Sequence, residues 1–348
     1  MNYVHIHEID FKNNINNRVF GIFLARDVEV RVQKDGVTKF LSLNMCDKNI
    51  KVDVKKFGAT EQEITDMVNG GVYCGAIDIK EYKGSYSCVL YNFERYNEPA
   101  SNFIEWAEGM DDAHEIINNA LVVINESVYR ELVYNILIAN WNDFCVWSAA
   151  SGMHHNLMGG LLVHTAEVIS QAEQIADFWE EKYGPNFINK PLLLSGALLH
   201  DIGKTKELKL DKLSGNTEYS TMAALETHIT MCASMIDIEA YKLKLGYQVY
   251  KVNDDGEQEE TKTQEQIDYE LEAVSLLKHL ILSHHGKKEY GSCIDMNTPE
   301  AYILNTADLL SAEMFRYNKN FGQMEQGNSS VAWLSGNMVV TYKDSSKL

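Results

Sequence analysis

The sequence predicts an α+β protein with two domains, a small β-barrel followed by an all-α domain. The first hundred residues form short runs that alternate apolar and polar or are β-branched, whereas apolar residues recur at helical spacing from about residue 100 onward. A chain of 348 residues is also long for a single core. We expect domain bounds as follows: a barrel at 1–98, a helical linker at 99–150, the main helical domain at 151–320 and a C-terminal tail at 321–348.

The order of elements in the first hundred residues is that of an OB-fold barrel. Strands are expected at 18–32, 39–45, 50–57, 72–80 and 86–93. A short amphipathic helix at 59–71, ended by glycines, is expected between the third and fourth strands. Three strands, a helix and two strands are the order of an OB-fold, whose strand 2–3 face often binds single-stranded nucleic acid.

Several side chains of the predicted barrel are candidates for contacts with a nucleic-acid strand. The candidates for stacking on bases are Phe40, Tyr82 and Tyr86. The candidates for contacting phosphates are Arg31, Lys39, Lys51 and Lys83. Each aromatic residue taken alone is better explained as core or ordinary surface, so these residues alone do not predict a nucleic-acid interface.

The remainder of the chain is predicted to be helical. Further helical runs are expected at 161–179, 191–200, 221–244, 268–283 and 299–317. The acidic run "NDDGEQEETKTQEQ" at 253–266 is expected to form a solvated surface loop, and the tail is expected to hold a short hairpin.

Charge and cysteine content limit the class of protein. The net charge is −19, and it is uneven: residues 1–100 hold 13 basic and 14 acidic residues, and the remainder holds 18 and 36. This balance disfavours tight duplex binding, although it leaves a single-stranded substrate open. The six cysteines form no CxxC pair, and the N-terminus has no signal-peptide pattern. We therefore expect a cytoplasmic protein without membrane spans, and a homo-oligomer stays open because the sequence does not set the oligomeric state.

Histidines and carboxylates recur inside the apolar helical runs, where an unpaired polar group is unfavourable. The set comprises His164, His200, Asp201, His228, His284, His285 and Asp308. Any one of them taken alone is better explained as a hydrogen-bonded core residue, but seven on successive helices indicate a metal site. Imidazole and carboxylate together suit Mn²⁺, Fe²⁺ or Zn²⁺, and the absence of thiolates disfavours a structural zinc site.

The adjacent pair His200-Asp201 in "ALLHDIGK" suggests two metal ions side by side, because a carboxylate can bridge ions while an imidazole binds one. His164, His200, Asp201 and Asp308 would hold one ion, and Asp201, His228, His284 and His285 the other. A hydroxide between the ions would be the nucleophile, since metal binding lowers the pKa of water. Gly203 would let the backbone turn, and Lys204 would contact a phosphate oxygen. Asp201 and Lys204 are thus the predicted catalytic residues for hydrolysis of a phosphate ester.

The ordered H…HD…H…HH…D pattern resembles the HD-domain metal-dependent phosphohydrolases. More closely, "HHNLMGGLLVHT", "LLSGALLHDIGKTKEL", "HLILSHHGKKEYGS" and "ILNTADLLSAEM" resemble the YhaM-type 3′→5′ exoribonucleases, which join an N-terminal OB-fold to an HD domain. The resemblance covers about residues 15–318. It implies the seven ligands above, two divalent ions that are typically manganese (magnesium being a further option), and Lys204 as the phosphate contact. His154, His155 and His279 also match, and the resemblance implies substrate-pocket or supporting roles for them.

The chain departs from that family's pattern at several positions. Val163 stands where an acidic residue is usual, and Ser311 where the family tends to carry a second aspartate. Gly160 stands where some cyclic-dinucleotide phosphodiesterases of the superfamily supply a glutamate, and their "GYP" signature is missing, which argues against that branch. None of these departures removes a ligand, so they affect the substrate more than the hydrolysis.

Three functions are compatible with these residues. The favoured hypothesis is a metal-dependent 3′→5′ exonuclease that acts on single-stranded RNA, with single-stranded DNA as a further candidate substrate. The second is an HD-type nucleotidase or cyclic (oligo)nucleotide phosphodiesterase, because small ligands need less basic surface than a polymer. The third is a non-catalytic nucleic-acid-binding or regulatory protein with a structural metal, against which the complete ligand set with Lys204 argues.

Overall fold

The computed structural model divides into two compact units, one formed by Met1–Trp106 and the other by Ala107–Leu210 with Thr217–Leu348. The structure describes residues 2–48, 50–82, 85–125, 127–150, 157–211, 217–322, 329–334 and 337–342. The predicted fold class is confirmed, because the first unit contains a β-barrel and the second is mainly helical.

Five strands of the first unit close into a barrel. The strands of this unit are β1 (Val4–His5), β2 (Arg18–Val32), β3 (Lys39–Asp47), β4 (Ile50–Phe57), β5 (Val72–Tyr82) and β6 (Ser85–Arg95). The barrel order is β2-β3-β4-β6-β5, and β5 pairs with β2 again. The length of β2 allows this closure, because its first half pairs with β5 and its second half with β3. With β4 and β6 parallel and the other barrel pairs antiparallel, this is the OB-fold topology.

Alternation along the strands fills the barrel. Leu41, Leu43 and Met45 occupy alternate positions of β3, and Val52 and Val54 do the same on β4; all are at most 5% exposed. They pack in one core cluster. Because side chains on a strand point alternately to its two faces, the residues between them lie on the outer face of the wall.

The helix between β4 and β5 is shorter than the sequence predicts. α1 spans Glu61–Asp66 and begins with a capping box in which Thr60 and Glu63 bond each other's backbone N–H. It ends at Met67, whose backbone is extended, rather than at the glycines that follow. Met67 is 3% exposed and packs into the barrel core, so burial of this side chain ends the helix early.

The second unit packs its helices around one helix that is mostly apolar and largely buried. Its helices are α2 (Met110–Ile124), α3 (Arg130–Phe144), α4 (Gly160–Tyr183), α5 (Lys190–Leu199), α6 (Lys204–Glu207), α7 (His228–Lys242), α8 (Gln264–Ser283) and α9 (Pro299–Gly322). All of residues 192–199 in α5 are buried, and this helix packs against α2, α4, α8 and α9. Among the described helices, none has both the length and the apolar character that a membrane crossing requires.

The acidic run does not form the predicted surface loop. It begins in the turn of an exposed hairpin, in which β9 (Tyr250–Val252) pairs with β10 (Gln258–Glu260). A separate pair of short strands, β7 (Leu208–Leu210) and β8 (Thr217–Tyr219), lies earlier in the chain. The β9–β10 turn is stabilised by Asn253, whose side chain accepts from the backbone of Asp255 and Glu257. The run ends inside α8, which Thr263 and Gln266 start with a capping box.

One further predicted element starts later than expected, and another is present as expected. The third predicted run, at 221–244, becomes regular helix only at His228, because Thr227 before it is extended. The hairpin expected in the tail is present as β11 (Ser329–Leu334) paired with β12 (Asn337–Tyr342). The late start of α7 places His228 at the first turn of a helix, where its backbone N–H needs an acceptor from outside.

We predict that Tyr73→Phe destabilises the barrel by about 1–3 kcal/mol, the cost of leaving buried polar groups unpaired. The Tyr73 hydroxyl donates to Asp66 O at 2.7 Å and accepts from Val68 N at 2.8 Å, so it fastens the segment after α1. Urea unfolding monitored by circular dichroism would measure the loss. Tyr96→Phe is the control because Tyr96 is 37% exposed. Equal midpoints for wild type and Tyr73→Phe would contradict the prediction.

Candidate metal centre

The His200-Asp201 pair lies where the buried helix α5 ends. His200 is the C-cap of α5 and is fully buried, and Asp201 is 2% exposed. The Nδ1 atom of His200 bonds Ala197 O at 2.8 Å, one turn back along the helix. That bond makes Nδ1 the protonated nitrogen, so Nε2 offers a lone pair to the interior of the unit.

Three side chains from three helices form a first cluster of ligand atoms. His164 on α4, His200 at the end of α5 and Asp308 on α9 place one ligand atom each within 4.8 Å of one another. His164 Nε2 lies 3.2 Å from Asp308 Oδ1 and 3.4 Å from His200 Nε2. Ligands that share one ion at bonds of about 2.1 Å lie about 3.0–3.4 Å apart, so this spacing suits a common metal.

A second cluster consists of three imidazoles. His228 begins α7, while His284 and His285 follow α8, and their ligand atoms also lie within 4.8 Å of one another. The ring centroids of His284 and His285 are 4.4 Å apart. The His200 and His284 rings are 5.3 Å apart, so the two clusters are neighbours.

Asp201 lies between the two clusters. Its Oδ2 atom is 3.4 Å from Nε2 of both His164 and His200, whereas its Oδ1 atom is 3.6 Å from His228 Nε2. Each carboxylate oxygen therefore faces a different cluster, which is the arrangement of a bridging carboxylate.

The Nδ1 atoms of the second cluster are bonded to acceptors outside it. His284 Nδ1 bonds Ile281 O at 2.6 Å, and His285 Nδ1 bonds Tyr290 O at 2.6 Å. His228 Nδ1 bonds Glu207 Oε2 at 2.9 Å, and the other oxygen of Glu207 accepts from the His228 backbone N–H at 3.1 Å. Partners of this kind fix the tautomer and the ring orientation that a metal ligand requires.

His164 is oriented through a serine. Its Nδ1 bonds Ser311 Oγ at 2.9 Å, and Ser311 in turn donates to Glu167 Oε2 at 2.6 Å. Glu167 is one helical turn after His164 on α4, whereas Ser311 comes from α9 and is fully buried. Ser311, which departs from the family pattern, therefore connects His164 to a carboxylate supplied by another position.

The two clusters differ in charge. Burial alone would raise the pKa of Asp201, but Lys204 and the adjacent imidazoles outweigh it and hold the pKa well below its usual range. Burial lowers the pKa of His164, yet hydrogen bonds to Asp201 and Asp308 raise it to about 9. Burial holds the pKa of His284 well below its usual range, so that ring is neutral. The first cluster is thus carboxylate-rich, and the second offers neutral imidazole.

Lys204 lies inside the site. It is 9% exposed, and its ammonium donates to Asp201 Oδ2 at 2.6 Å. Burial alone would lower the pKa of Lys204, but Asp201 raises it, so the side chain remains charged. The lysine is therefore held against the carboxylate that lies between the two clusters.

Gly203 is needed for a different reason from the predicted turn. Its backbone is ordinary right-handed helical, with φ of −60° and ψ of −21°, so the turn does not require glycine. A Cβ atom at this position would lie 2.2 Å from the His228 carbonyl oxygen. Only glycine lets the start of α6 approach the start of α7 closely enough for Asp201 and His228 to face each other.

The donor set fits divalent cations. Three buried polar atoms that face the centre, Asp201 Oδ1, His228 Nε2 and His284 Nε2, have no hydrogen-bond partner among the described residues. Buried polar atoms without a partner are unfavourable, and a coordinated cation would satisfy all three. The protein therefore carries His and Asp clusters that could bind divalent metal.

Several of the remaining predicted contacts fall outside the part of the chain that the structure describes. His154, His155 and Lys83 lie outside the described residues, as does the side chain of Tyr82. His279 does not join the clusters; its Nε2 accepts from the Asn297 backbone N–H at 3.0 Å.

Two of the aromatic residues predicted for the barrel, Phe40 and Tyr86, lie on different faces of its wall. Phe40 alternates with the core residues of β3 and stacks on Phe57 with ring centroids 5.6 Å apart. Tyr86 instead shares the inward side of β6 with Cys88 and rests against Phe11 at 5.4 Å. Phe40 and Tyr86 therefore do not form one surface.

Sequence reasoning missed the residues that orient the ligands. Glu207, Glu167 and Asn305 were not predicted, although Asn305 donates to His284 O at 2.7 Å and supports the turn that carries His285. The spacing of His164 and Glu167 is a usable signal, because residues three apart share a helix face. Glu207 and Asn305 have no such signal, since their partners are about twenty positions away.

Comparison with known proteins identifies the class of the helical unit. The HD domain family model matches residues 161–313, a range that contains all seven predicted ligands. Over most of its length the chain is also similar to proteins named 3′-5′ exoribonuclease YhaM. The relative from Bacillus velezensis is 25% identical and covers 90% of this chain and 91% of its own. The relative from Listeria innocua is 26% identical, with 89% and 90% covered. The resemblance predicted from the motifs is confirmed.

A solved structure also matches the first unit weakly. It is the solution NMR structure of the second OB-fold domain of replication protein A from Methanococcus maripaludis, at 14% identity and a TM-score of 0.19. It covers 24% of this chain and 87% of that one. The OB-fold assignment stands on the strand pairing described above and not on this match.

We predict that Ser311→Ala weakens binding of divalent metal by about 10- to 100-fold, the usual effect of removing a partner that orients a ligand. The substitution removes the acceptor for His164 Nδ1 and breaks the link to Glu167. Competition with a chelator would measure the affinity, and circular dichroism would verify folding. Glu181→Gln, an exposed change on the same helix, is the control. Unchanged affinity in Ser311→Ala would show that His164 does not depend on the serine.

Proposed function

We propose that the protein is a metal-dependent 3′→5′ exoribonuclease that shortens single-stranded RNA, and that single-stranded DNA is a secondary substrate. The main support for metal-dependent hydrolysis is that Asp201 turns one oxygen to each of two adjacent clusters of candidate metal ligands. The similarity to named 3′-5′ exoribonucleases over about nine-tenths of the chain supports the polymer and the polarity.

We propose two divalent ions, held by the seven predicted ligands. His164, His200 and Asp308 would hold one, His228, His284 and His285 the other, and Asp201 would bridge them. When bound, the ions act as Lewis acids on the phosphate and make hydroxide available at neutral pH. Five imidazoles with two carboxylates and no thiolate suit Mn²⁺, Fe²⁺ or Zn²⁺, and we favour Mn²⁺ on family resemblance.

The side chains of the site have separable tasks in this mechanism. Asp201 and Asp308 balance the positive charge of the site, and the bonds to Nδ1 keep the imidazoles in one tautomer. Lys204 would leave Asp201 to contact a non-bridging phosphate oxygen, where its charge stabilises the extra negative charge of the transition state. The buried position of these groups strengthens each electrostatic interaction.

The outer face of the barrel supplies a stacking surface. Arg31 on β2, Phe40 on β3 and Phe57 on β4 are cross-strand neighbours in one row. Phe57 is 48% exposed, so its ring is accessible to a base. Sequence reasoning named Arg31 and Phe40 and missed Phe57, which the register of β4 brings beside Phe40.

The basic residues of the barrel are largely paired with acids. Arg31 pairs with Glu29, Lys39 with Glu61 and Lys51 with Asp27, at distances of 2.7, 2.8 and 3.3 Å. Exposed pairs of this kind are weak and can exchange for phosphate contacts. We expect modest strand affinity with a weak dependence on salt, because few phosphates would be neutralised.

None of the six cysteines forms a disulfide, which supports the proposed cytoplasmic location.

A substrate panel with Mn²⁺ tests the proposed activity. The wild-type protein should shorten 5′-labelled single-stranded RNA stepwise and release labelled mononucleotide at once from 3′-labelled RNA. Asp201→Ala should lose both activities together with bound metal. Lys204→Met should lower kcat about 10²- to 10³-fold, the loss typical for one transition-state donor, while metal content is retained. Glu181→Gln is the control.

Two outcomes would overturn the proposal. Intact RNA with wild-type enzyme, combined with hydrolysis of mononucleotides or cyclic nucleotides, would identify a small-molecule phosphohydrolase instead. Strand binding without hydrolysis of any substrate in the panel would identify a non-catalytic protein.

A second experiment tests the stacking surface. Phe57→Ala should raise KM for a long RNA about tenfold, because stacking contributes about 1–3 kcal/mol per base. Hydrolysis of a dinucleotide should stay unchanged, since a short substrate does not need the barrel. Tyr91→Ala is a matched control, because Tyr91 is also 48% exposed but lies on β6, outside the row. An equal KM in Phe57→Ala and Tyr91→Ala would exclude this surface.

A further inference from the structure

A third group of metal-binding side chains lies in the barrel unit, outside the HD domain. His5 on β1, His7 in the turn after it and Asp47 at the end of β3 place one ligand atom each within 4.8 Å of one another. His7 Nδ1 is 2.7 Å and His5 Nδ1 3.1 Å from the same oxygen, Asp47 Oδ2. We call these three residues the N-terminal cluster.

Asp47 is a buried carboxylate that needs positive charge. Its side chain is fully buried, and its second oxygen, Oδ1, has no hydrogen-bond partner among the described residues. Oδ2 accepts from the His7 backbone N–H and faces both imidazoles. A buried carboxylate with one oxygen that lacks a hydrogen-bond partner is unfavourable unless a cation or further donors neutralise its charge.

The imidazole of His5 is oriented as a metal ligand would be. Its Nδ1 faces Asp47, while its Nε2 lies 3.3 Å from Glu98 Oε2. The ring stacks on Phe103, with centroids 4.8 Å apart and planes 23° apart. A ligating imidazole typically donates its other N–H to a carboxylate, and Glu98 is in that position for His5.

We propose that the N-terminal cluster binds a divalent transition metal of the Zn²⁺ class through His5, His7 and Asp47. Two imidazoles and one carboxylate are a donor set of catalytic-type zinc sites, and the absence of thiolate leaves the ion exchangeable. Both histidine side chains are 22% exposed, so an ion can enter from solvent and water can complete its coordination.

The ion would fix the first residues of the chain to the barrel. β1 has only two residues and pairs with β2 at Gly21 and Ile22, a short attachment. The cluster joins positions 5 and 7 to position 47 across about forty residues. Because a metal that binds only the folded state adds its binding free energy to stability, zinc should stabilise the barrel unit.

Lys48 places a positive charge beside the N-terminal cluster, which opposes binding of a cation there. Its ammonium lies 3.3 Å from His7 Nε2, where it favours the proton on Nδ1 and repels a cation. Removing this charge should tighten zinc binding, whereas removing His7 should abolish it. A purely hydrogen-bonded anchor for the N-terminus predicts neither effect.

Zinc titration of the full-length protein, with Mn²⁺ present, tests the proposal. Compared with wild type, His7→Gln should bind about one zinc ion fewer per chain by elemental analysis and lose the zinc-dependent rise in Tm. Lys48→Met should bind the same number of ions with higher affinity. His114→Gln, a histidine outside all three clusters, should behave as wild type. RNA hydrolysis should be unchanged in His7→Gln, which separates this site from the HD centre.

A measurement on the wild-type protein covers the case in which His7→Gln does not fold. Diethyl pyrocarbonate labels accessible imidazoles, and mass spectrometry of the N-terminal peptide reads the labelling of His5 and His7. Zinc should protect both. Equal zinc content in wild type and His7→Gln, or zinc-independent labelling where His7→Gln fails to fold, would identify the cluster as a hydrogen-bonded anchor and overturn the proposal.

Discussion

The geometry of the helical unit depends on keeping the carboxylate of Asp201 charged while almost fully buried. A buried carboxylate is unfavourable unless positive charge and hydrogen bonds surround it. Here the compensation comes from Lys204 at 2.6 Å and from the imidazoles of His164 and His200, both at 3.4 Å. Because these groups come from three different segments, the helices α4, α5 and α6 must meet at this one point. A bound cation fits the same requirement, since it brings positive charge to the oxygens.

Three of the imidazoles in the two clusters around Asp201 lie at the ends of helices. His200 is the C-cap of α5, His228 begins α7 and His284 is the C-cap of α8, so the ligands occupy positions where backbone groups are also unpaired. The imidazoles use those groups, because His200 and His284 bond carbonyls of their own last turns. Glu207 does the converse at the start of α7, where it binds both the backbone N–H and the ring of His228. The same contacts therefore terminate the helices and orient the ligands.

The sequence predicts which side chains come together in the two clusters better than it predicts which residues support them. Alternation in β3 and β4 and the helical spacing of α4 and α5 are local patterns, so both units could be anticipated. His164 and Asp308 stand out because polar residues are unusual inside apolar runs. Gly203 was assigned to a turn, yet its reason is the His228 carbonyl on another helix. The Ser311–Glu167 link likewise joins α9 to α4, 144 positions apart, and only the packing of those helices reveals it.

The two units carry very different net charges, and this difference limits how RNA could bind. The helical part carries nearly all of the net charge of −19, and two divalent ions would offset only part of it. Such a surface repels a polyanion, so in the proposed function contact with RNA would come from short-range interactions: one phosphate held at the metal centre, and bases stacked on an uncharged surface. The barrel row of Phe40 and Phe57 would provide the second kind of contact without needing a basic patch. An exonuclease that engages one strand end at a time is compatible with this balance, whereas a duplex-binding protein, which depends on many phosphate contacts, is not.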